Sequence, residues 1–379
     1  MHLMNTPYQI CVRCVMDTTD PHISFNDNGE CNHCTEFIDV RSKYQYNPEK
    51  SEHEFQQRIS TIKKDGAGKE YDVVLGLSGG IDSSYAAYIC KQNGLRVLAV
   101  HLDNGWNSEE AVQNIKNIAR KLGIDYESFV LDWNEFKDLQ LAFLKAGVPE
   151  AETPTDIAIP AVLHKTAAKY GIKHIVSGGN FATEGILPKH WHYNAKDMRY
   201  FNSIYKQFGT RSLKTFPTFG FKKEMYYKLV KKINFFYVLN TVPYNKEDAM
   251  AFLEKELGWK YYGGKHYESK YTGFIQSYYL YEKFGIDYRR ATLATQICNK
   301  EISRELALEL LQSKPYSDEK VEQEKAYIAK KLGISREEFD RILLQPAKWY
   351  TDYPNDEKRL KFIYDTYRKL SKKEKLGSF

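Results

Sequence analysis

Between residues 72 and 177 the chain alternates short apolar runs with longer segments in which apolar positions repeat at helical spacing. The apolar runs are typical of buried strands, and they predict strands at 72–77, 97–100, 129–131 and 175–177. The helices between them are expected to end at glycines, namely Gly94, Gly123 and Gly171. Strands that alternate with helices predict an α/β fold with a doubly wound parallel sheet.

Beyond about residue 220 the strand signal fades and the pattern indicates a mainly helical extension. Ser303 and Ser335 are plausible helix starts, because serine caps the free N–H groups of a first turn. The predicted helices are 222–232, 246–257, 273–284, 301–312, 318–331, 335–344 and 356–373.

The composition is that of an ordinary globular protein, with 379 residues of which 42% are hydrophobic and 27% charged. The net charge of +6 permits contact with an anionic ligand, but it is too small to indicate nucleic acid by itself. No apolar run reaches the roughly 18 residues of a membrane span, and residues 1–15 lack the features of a secretory signal. We therefore expect a cytoplasmic protein without a membrane span.

Four of the six cysteines form two close pairs, Cys11 with Cys14 and Cys31 with Cys34. Two C-x2-C pairs are the spacing of a tetrahedral zinc site, so we expect a structural Zn²⁺ held by these four thiolates. Two disulfides and an iron–sulfur cluster are the alternatives, and disulfides are rare in the cytosol. Cys90 and Cys298 stand alone in the sequence.

The strongest chemical signal is the run Ser78-Gly79-Gly80-Ile81-Asp82-Ser83-Ser84, which follows the first predicted strand and opens a helix. Its glycines permit a tight turn, and backbone N–H groups at a helix N-terminus bind phosphate. Hydroxyls of Ser78, Ser83 and Ser84 add donors, whereas Asp82 suits a phosphate site only with Mg²⁺ between them. The run matches neither Walker A nor G-x-G-x-x-G.

This loop resembles the S-G-G-x-D-S signature of the PP-loop ATP pyrophosphatases, whose α/β fold is that of the adenine nucleotide alpha hydrolases. The resemblance implies that Leu102 and Asp103 contact adenine and ribose, and that Glu184 helps Asp82 to hold Mg²⁺. It further implies ATP contacts at Gly178 and Asn180, and phosphate contacts from Lys222 and Lys223. Asn180 departs from the pattern, in which an aspartate stands at this position.

Nearly the whole chain resembles the N-acetyl sugar amidotransferases of bacterial surface-polysaccharide biosynthesis, which make acetamidino sugars for O-antigen and for pseudaminic or legionaminic acid derivatives. The segments that carry this resemblance are 11–19, 78–84, 154–156, 178–184, 266–272, 283–290 and 301–307. The implied activity is a ligase-type amidotransferase, in which a sugar acetamido oxygen attacks ATP and ammonia then displaces AMP. The implied division is a zinc knuckle at 1–40, a connector helix at 41–70, an ATP-binding domain at 71–235 and a helical region for substrate and partner contacts at 236–379.

The sequence contains no G-x-C-x-G nucleophile elbow, so we expect a separate class I glutaminase subunit to supply ammonia. A tRNA thiolase, or another tRNA-modifying enzyme, is the alternative function. Thiolases need a sulfur-carrying cysteine, and outside the knuckle only Cys90 and Cys298 remain. A non-catalytic zinc-knuckle adaptor is a further alternative, which ATP binding would contradict.

A segment around residue 266 is dense in functional groups and opens with glycines, which let a loop approach a ligand closely. His266 and Glu268 are candidates for the proton transfer that accompanies attack by ammonia, with Asp156 as the next candidate. The candidates for binding a sugar carboxylate or a nucleotide diphosphate are Lys265, Lys270, Arg289 and Arg290. A charged surface loop is the alternative interpretation of this segment.

Overall fold

The computed structural model of the protein describes residues 7–44, 46–263 and 267–371. Its centre is a sheet of five parallel strands in the order β3-β2-β1-β4-β5. The strands are β1 Val73–Gly76, β2 Val97–Asp103, β3 Asp125–Val130, β4 His174–Ser177 and β5 Asn234–Tyr237. The doubly wound parallel sheet predicted from the alternating pattern is confirmed.

The chain adds strands to the sheet in two directions from β1, which pairs with β2 on one side and with β4 on the other. The loops after β1 and β4 therefore lie side by side at the carboxyl edge of the sheet. In open α/β sheets this switch point is where ligands bind. The glycine-rich run at 78–84 follows β1 and lies at this switch point.

The strand β5 lies beyond the point at which the strand signal was expected to fade, and that expectation was wrong for residues 234–237. The segment Phe235-Phe236-Tyr237 is aromatic, as strands often are, but at this sheet edge Phe236 alone is buried. Three consecutive aromatic residues show no clear alternation of apolar and polar positions, so the pattern did not predict a strand here. The predicted boundary between residues 235 and 236 would cut this strand, and the division into four regions otherwise stays a prediction.

Helices surround the sheet on both faces and continue to the end of the described chain. In order they are α1 Asn32–Tyr44, α2 Pro48–Asp65, α3 Ile81–Gln92, α4 Glu109–Leu122, α5 Trp133–Ala146, α6 Thr153–Lys169, α7 Phe181–Glu184, α8 Met198–Phe208, α9 Phe221–Met225, α10 Lys246–Leu257, α11 Lys270–Phe274, α12 Leu280–Phe284, α13 Arg289–Cys298, α14 Arg304–Leu310, α15 Asp318–Leu332, α16 Arg336–Leu344 and α17 Glu357–Ser371. Short π-helical segments extend α9 at Tyr226–Val230 and join α11 to α12 at Ile275–Tyr279.

Local capping chemistry explains many helix ends. The hydroxyls of Ser303 and Ser335 accept from the N–H groups of Leu306 and Glu338, as the sequence predicted. Gly123 ends α4 in the left-handed conformation, at a φ of 58°. The predictions missed α8 and α13 and placed the start of α14 about three residues early, at 301 instead of Arg304.

The cysteine-rich N-terminus shares a hydrophobic core with the C-terminal helices. Phe37 on α1 stacks on Phe181 on α7, with ring centroids 4.5 Å apart. Arg290 at the start of α13 donates to the carbonyl of Val15 over 2.5 Å and pairs with Asp17 over 2.9 Å. The N-terminal segment is therefore fastened to the helical region and does not stand apart from it.

A buried carboxylate fixes the long connection between β4 and β5. Glu135 on α5 accepts from the backbone N–H groups of Lys214, Thr215 and Phe216 over 2.7 to 3.1 Å. Burial raises the pKa of Glu135, but these donors outweigh it and hold the pKa below its usual range. The ionised form is therefore the one that holds the connection in place.

We predict that Glu135→Gln destabilises the protein at neutral pH by about 1–3 kcal/mol, because an amide cannot satisfy all of these donors. The folded pKa is lowered, so the stabilisation is present above the unfolded pKa of about 4.3 and is lost as the pH falls through the folded value. Thermal unfolding of both proteins at neutral and at acidic pH measures this. A stability difference that stays constant down to acidic pH would contradict the role given to the charge.

Candidate functional site

The loop after β1 is shaped by its glycines and by hydrogen bonds among its own residues. Gly79 has a φ of +84°, and a side chain there would collide with the carbonyl group of Ala111 on α4. The hydroxyl of Ser78 accepts from the N–H of Gly80 over 3.2 Å and lies 3.1 Å from the hydroxyl of Ser83. The loop is thus held in one turn, with the N-terminus of α3 at the switch point.

The loop after β4 packs directly on the N-terminus of α3. A Cβ atom at Gly178 would lie 2.6 Å from the carbonyl carbon of Asp82 and 2.7 Å from the nitrogen of Ser83. No residue other than glycine fits this contact without movement of the backbone. The two glycine-bearing loops at the switch point are therefore in contact.

Asp82 is held by two donors from other elements. The Nδ2 of Asn180 lies 3.4 Å from its Oδ1, and the hydroxyl of Tyr244 donates to the same oxygen. The Oδ1 of Asn180 accepts from the N–H and hydroxyl of Thr183 over 2.9 and 3.1 Å, so its amide nitrogen must face Asp82. An aspartate at position 180 would repel Asp82, and asparagine instead orients it. Tyr244 was not identified from the sequence, because it lies 162 residues away in the chain.

A cavity of about 340 Å³ opens above this loop. Tyr262 and Glu268 form part of its wall, with the Tyr262 hydroxyl 3.3 Å and a Glu268 oxygen 3.8 Å from a Cβ built on Gly80. Trp259 anchors this wall by donating from Nε1 to the carbonyl of Gly79 over 2.8 Å. The residues that line the cavity are Ser78, Gly80, Ile81, Asp82, Ser83, Asn245, Lys246, Glu247, Met250, Tyr261, Tyr262, Glu268, Gln296, Glu301 and Ile302.

Backbone hydrogen bonds tie the segment at 268–270 to the loop after β2. The N–H of Ser108 donates to the carbonyl of Glu268 over 2.8 Å, and the N–H of Lys270 donates to Trp106 over 3.0 Å. This pairing places Glu268 at the cavity. His266 and Lys265, the other candidates in this segment, lie outside the described residues, and their roles stay predictions.

The remaining nucleotide-binding candidates lie at the same sheet edge but in different settings. Leu102 and Asp103 end β2, and Asp103 accepts from the N–H of Gly105 over 2.9 Å. Glu184 is the last residue of α7. Burial, together with the charges of Asp82 and Glu184, raises the pKa of Tyr244. Ser84 is fully buried and does not line the cavity, contrary to the prediction that its hydroxyl faces a phosphate.

Lys222 and Lys223 do not line the loop cavity, and their predicted phosphate contacts stay a prediction. These residues line a second cavity of about 320 Å³ against α17, and the Nζ of Lys223 donates to the carbonyl of Thr218 over 2.9 Å. The lysine that lines the loop cavity is Lys246, the first residue of α10. It was missed because the motif that indicated a lysine lies at 219–223, whereas the fold brings Lys246 to the loop from a separate helix.

Three residues predicted to contact the sugar have partners within the protein, and their roles stay predictions. Lys270 lies over the ring of Tyr327, with Nζ 5.0 Å from the centroid. Arg289 is paired with Asp287 over 2.6 Å, and Arg290 holds Val15 and Asp17. The two arginines are satisfied within the protein because each sits beside an aspartate that the sequence pattern did not connect to it.

Asp156 lies in the first turn of α6, near carboxylates that border the loop cavity. Its side chain is exposed to solvent. Neighbouring Glu152, which was not identified from the sequence, accepts from the hydroxyl of Thr272 over 3.0 Å.

The four knuckle cysteines converge on one point. The Sγ atoms of Cys11 and Cys34 are 3.9 Å apart, those of Cys14 and Cys31 are 3.7 Å apart, and all four lie within 4.8 Å of one another. Four sulfurs bound tetrahedrally at about 2.3 Å from zinc are about 3.8 Å apart, so the site fits Zn²⁺. The Sγ of Cys298 lies 3.7 Å from that of Cys34, a fifth sulfur that its isolated position in the sequence did not indicate.

Two family models match separate parts of the chain. Residues 268–370 match the C-terminal domain of proteins like the LPS biosynthesis protein WbpG, and residues 55–146 match NAD synthase. The chain therefore has the PP-loop fold of NAD synthase, followed by a region similar to the C-terminal domain of WbpG-like proteins. Members of the PP-loop family are enzymes that use ATP.

The curated relatives match about a quarter of the chain. The tRNA-specific 2-thiouridylase MnmA 1 of Geobacillus kaustophilus is 33% identical over 111 residues, which are 27% of this chain and 28% of that protein. The probable tRNA sulfurtransferase of Methanothermobacter thermautotrophicus is 36% identical over 93 residues, or 23% of each chain. The chain thus spans about a quarter of the length of these relatives.

Among solved structures, the NH3-dependent NAD synthetase of Campylobacter jejuni aligns with 53% of this chain and 82% of its own, at 17% identity and a TM-score of 0.28.

Over residues 7–44, 46–263 and 267–371, no helix has the length and apolar character needed to cross a bilayer.

We predict one zinc ion per chain on Cys11, Cys14, Cys31 and Cys34. Cys14→Ser should lower both the zinc content and the thermal stability, because metal binding to four thiolates contributes directly to folding. Elemental analysis and thermal unfolding measure the two effects. Cys90→Ser is the control, since Cys90 is fully buried in α3 and should leave the zinc content unchanged. An iron chromophore in protein purified without oxygen would contradict the assignment.

We predict that Tyr244→Phe lowers Mg²⁺-dependent activity about tenfold, because a hydrogen bond to a charged group is worth about 1.5–3 kcal/mol. The half-saturating Mg²⁺ concentration should rise, since Asp82 loses a donor that orients it. Tyr85→Phe is a matched control, because its ring lies 5.7 Å from that of Tyr244 and it is not a partner of Asp82 in the described chain. Equal Mg²⁺ titrations for the two variants would refute the role of Tyr244.

Proposed function

We propose that the protein is an ATP-dependent amidotransferase that converts the N-acetyl group of a sugar or nucleotide sugar into an acetamidino group. The acetamido oxygen attacks the α-phosphorus of ATP and expels pyrophosphate, which gives an O-adenylyl imidate. Ammonia then adds to the imidate carbon and AMP leaves. The product would enter LPS O-antigen or another surface polysaccharide.

One observation carries this proposal, namely that the region related to LPS biosynthesis forms a wall of the ATP-site cavity. Glu268 is the first residue of the segment that matches the WbpG-like domain, and it borders the loop at 78–82. Gln296 and Glu301 of the same segment also line this cavity. An acceptor bound by that region would therefore lie against the phosphates of ATP.

The loop residues are suited to bind and orient the triphosphate. The first residues of α3 line the cavity, where their backbone N–H groups could bind phosphate, and Lys246 adds a positive side chain to the lining. Asp82, oriented by Tyr244 and Asn180, and Glu184 would hold Mg²⁺, which when bound withdraws charge from the phosphate oxygens. An amide oxygen is a poor nucleophile, so alignment and charge neutralisation must supply much of the rate.

The second half-reaction needs ammonia and a group that accepts its proton. We propose that a class I glutaminase subunit supplies the ammonia. Glu268, His266 and Asp156 stay the candidates for the proton transfer. Glu268 lines the cavity, which supports its candidacy.

A tRNA thiolase is the second candidate, favoured by the curated relatives, which are tRNA-thiolating enzymes. A thiolase needs an accessible cysteine that carries sulfur. In the described chain Cys90 is fully buried, and Cys298 is 7% exposed and lies against Cys34. These positions favour the amidotransferase.

The test is incubation with ATP, Mg²⁺, ammonium chloride and a panel of UDP- and CMP-linked N-acetyl sugars. We expect AMP and pyrophosphate as products, and a sugar whose mass falls by about one unit as oxygen is replaced by NH. Glutamine alone should not support the reaction. Asp82→Asn should lower turnover by about a hundredfold or more while the protein stays folded, because it removes charge at the reacting phosphate.

Release of ADP and phosphate would refute the proposed chemistry. Activity with glutamine and this chain alone would refute the need for a partner. Sulfur transfer to tRNA by the purified protein, with no change in any sugar, would establish the thiolase instead.

A further inference from the structure

Two neighbouring tyrosines form an aromatic wall of the loop cavity. Tyr261 and Tyr262 both line it, and their ring centroids are 6.1 Å apart. Tyr262 is partly buried with its hydroxyl near Gly80, whereas Tyr261 is 55% exposed. Single exposed aromatic residues are common on protein surfaces, so exposure alone does not indicate a ligand. Tyr261 differs from such residues because it lines a cavity and because the backbone before it is held firmly.

The segment that carries Tyr261 is fastened to α4 and to the glycine-rich loop. Asn114 on α4 is fully buried, and its side chain accepts from the N–H of Lys260 over 2.7 Å and donates to the carbonyl of Lys260 over 2.8 Å. Asn117, one turn further along α4, donates to the carbonyl of Gly258 over 2.8 Å. Between them, Trp259 donates to the loop at Gly79. These bonds fix the backbone next to Tyr261 relative to the phosphate loop, and a preorganised wall lowers the entropic cost of binding.

The rest of the lining adds apolar groups and amides. Met250 and Ile302 supply partly buried apolar side chains, and Gln296 supplies an amide. The Oδ1 of Asn245 accepts from two N–H groups at the start of α10 over 2.9 and 3.1 Å, which leaves its Nδ2 to donate to another partner. An aromatic ring, apolar side chains and a few amides in one cavity of this size are typical of a small-molecule site.

The adenine of ATP is expected outside this cavity. Among the described residues that line it, none belongs to β2 or to the loop that follows β2. The sequence resemblance implies adenine and ribose contacts at Leu102 and Asp103, the last residues of β2. The glycine-rich loop therefore brings the phosphates to the cavity, while the wall at Tyr261 is left for a second substrate.

We infer that Tyr261 is a stacking platform for the pyranose ring of the N-acetylated acceptor. This inference rests on the proposed function, because it names the wall that receives the sugar. A pyranose ring presents a face of C–H groups, which packs on the electron-rich face of an aromatic ring. Its hydroxyls match amides such as that of Gln296, and the acetamido methyl group matches Met250 and Ile302. The base of a nucleotide-linked acceptor and the adenine of ATP are the rival occupants of the platform.

The decisive variants are Tyr261→Leu, which removes the ring but keeps an apolar side chain, and Tyr261→Phe, which keeps the ring. Loss of one aromatic stacking contact should raise the KM for the acceptor sugar about tenfold in Tyr261→Leu. The same KM should be nearly unchanged in Tyr261→Phe, because the ring and not the hydroxyl makes the contact. The KM for ATP should be unchanged in both variants. The steady-state release of AMP at varied sugar and at varied ATP measures these values.

Tyr126→Leu is the matched control. Tyr126 lies on β3, is 37% exposed and is not part of the described lining of the cavity, so its loss should leave both KM values unchanged. An unchanged KM for the sugar in Tyr261→Leu would overturn the inference. So would a rise confined to the KM for ATP, which would assign the ring to adenine, or an equal rise in Tyr261→Phe, which would assign the effect to the hydroxyl.

A binding measurement separates failure of this inference from failure of the proposed function. Methyl N-acetyl-β-glucosaminide and UMP are each titrated into the protein with Mg²⁺ and α,β-methylene-ATP, which cannot release pyrophosphate. Weaker binding of the glycoside by Tyr261→Leu than by the wild type and Tyr126→Leu, with UMP binding unchanged, supports the platform even if no sugar is converted. Weaker binding of UMP alone would assign the ring to the base and overturn the inference. Absence of glycoside binding to the wild type would overturn it even if AMP and pyrophosphate are formed.

Discussion

The contact between the loops after β1 and β4 is the constraint on which the site depends. Gly178 has no room for a side chain because the backbone of Asp82 and Ser83 lies directly against it. This contact places the N-terminus of α3, the carboxylate of Asp82 and the amide of Asn180 in one small volume. Parallel strands alone would bring the loops to the same edge, but only glycine at 178 lets them touch.

The cysteine-rich N-terminus contacts α13, and α13 in turn lines the loop cavity. At the start of α13, Arg290 holds Val15 and Asp17, and after its end Arg304 donates to the carbonyls of Cys11 and Cys14 over 2.9 to 3.2 Å. The opposite side of α13 contacts the β4 loop region, where Thr295 accepts from the N–H of Ile186 over 3.0 Å. Gln296 on the same helix lines the cavity. Loss of the knuckle would therefore loosen a wall of the cavity as well as a distant part of the fold.

The sequence predicts best those features whose residues are contiguous in the chain. The loop at 78–84, its strand and its helix are contiguous, so their residue types identify them without knowledge of the fold. Tyr244 and Lys246 reach the same site from α10 and the connection before it, and their neighbours in the sequence carry no matching pattern. Arg290 and Lys222 show a further limit, because a positive residue in a matching segment does not reveal which aspartate or which cavity the fold places beside it.

The residues that line the loop cavity carry charges of both signs. The N-terminus of α3 and Lys246 favour phosphate, whereas Asp82, Glu268 and Glu301 disfavour it. On the proposed mechanism the triphosphate would therefore bind together with a cation that lies between its oxygens and the carboxylates, which is the role proposed for Mg²⁺ at Asp82. Without that cation the carboxylates would repel the phosphates in a poorly solvated setting, where repulsion is strong.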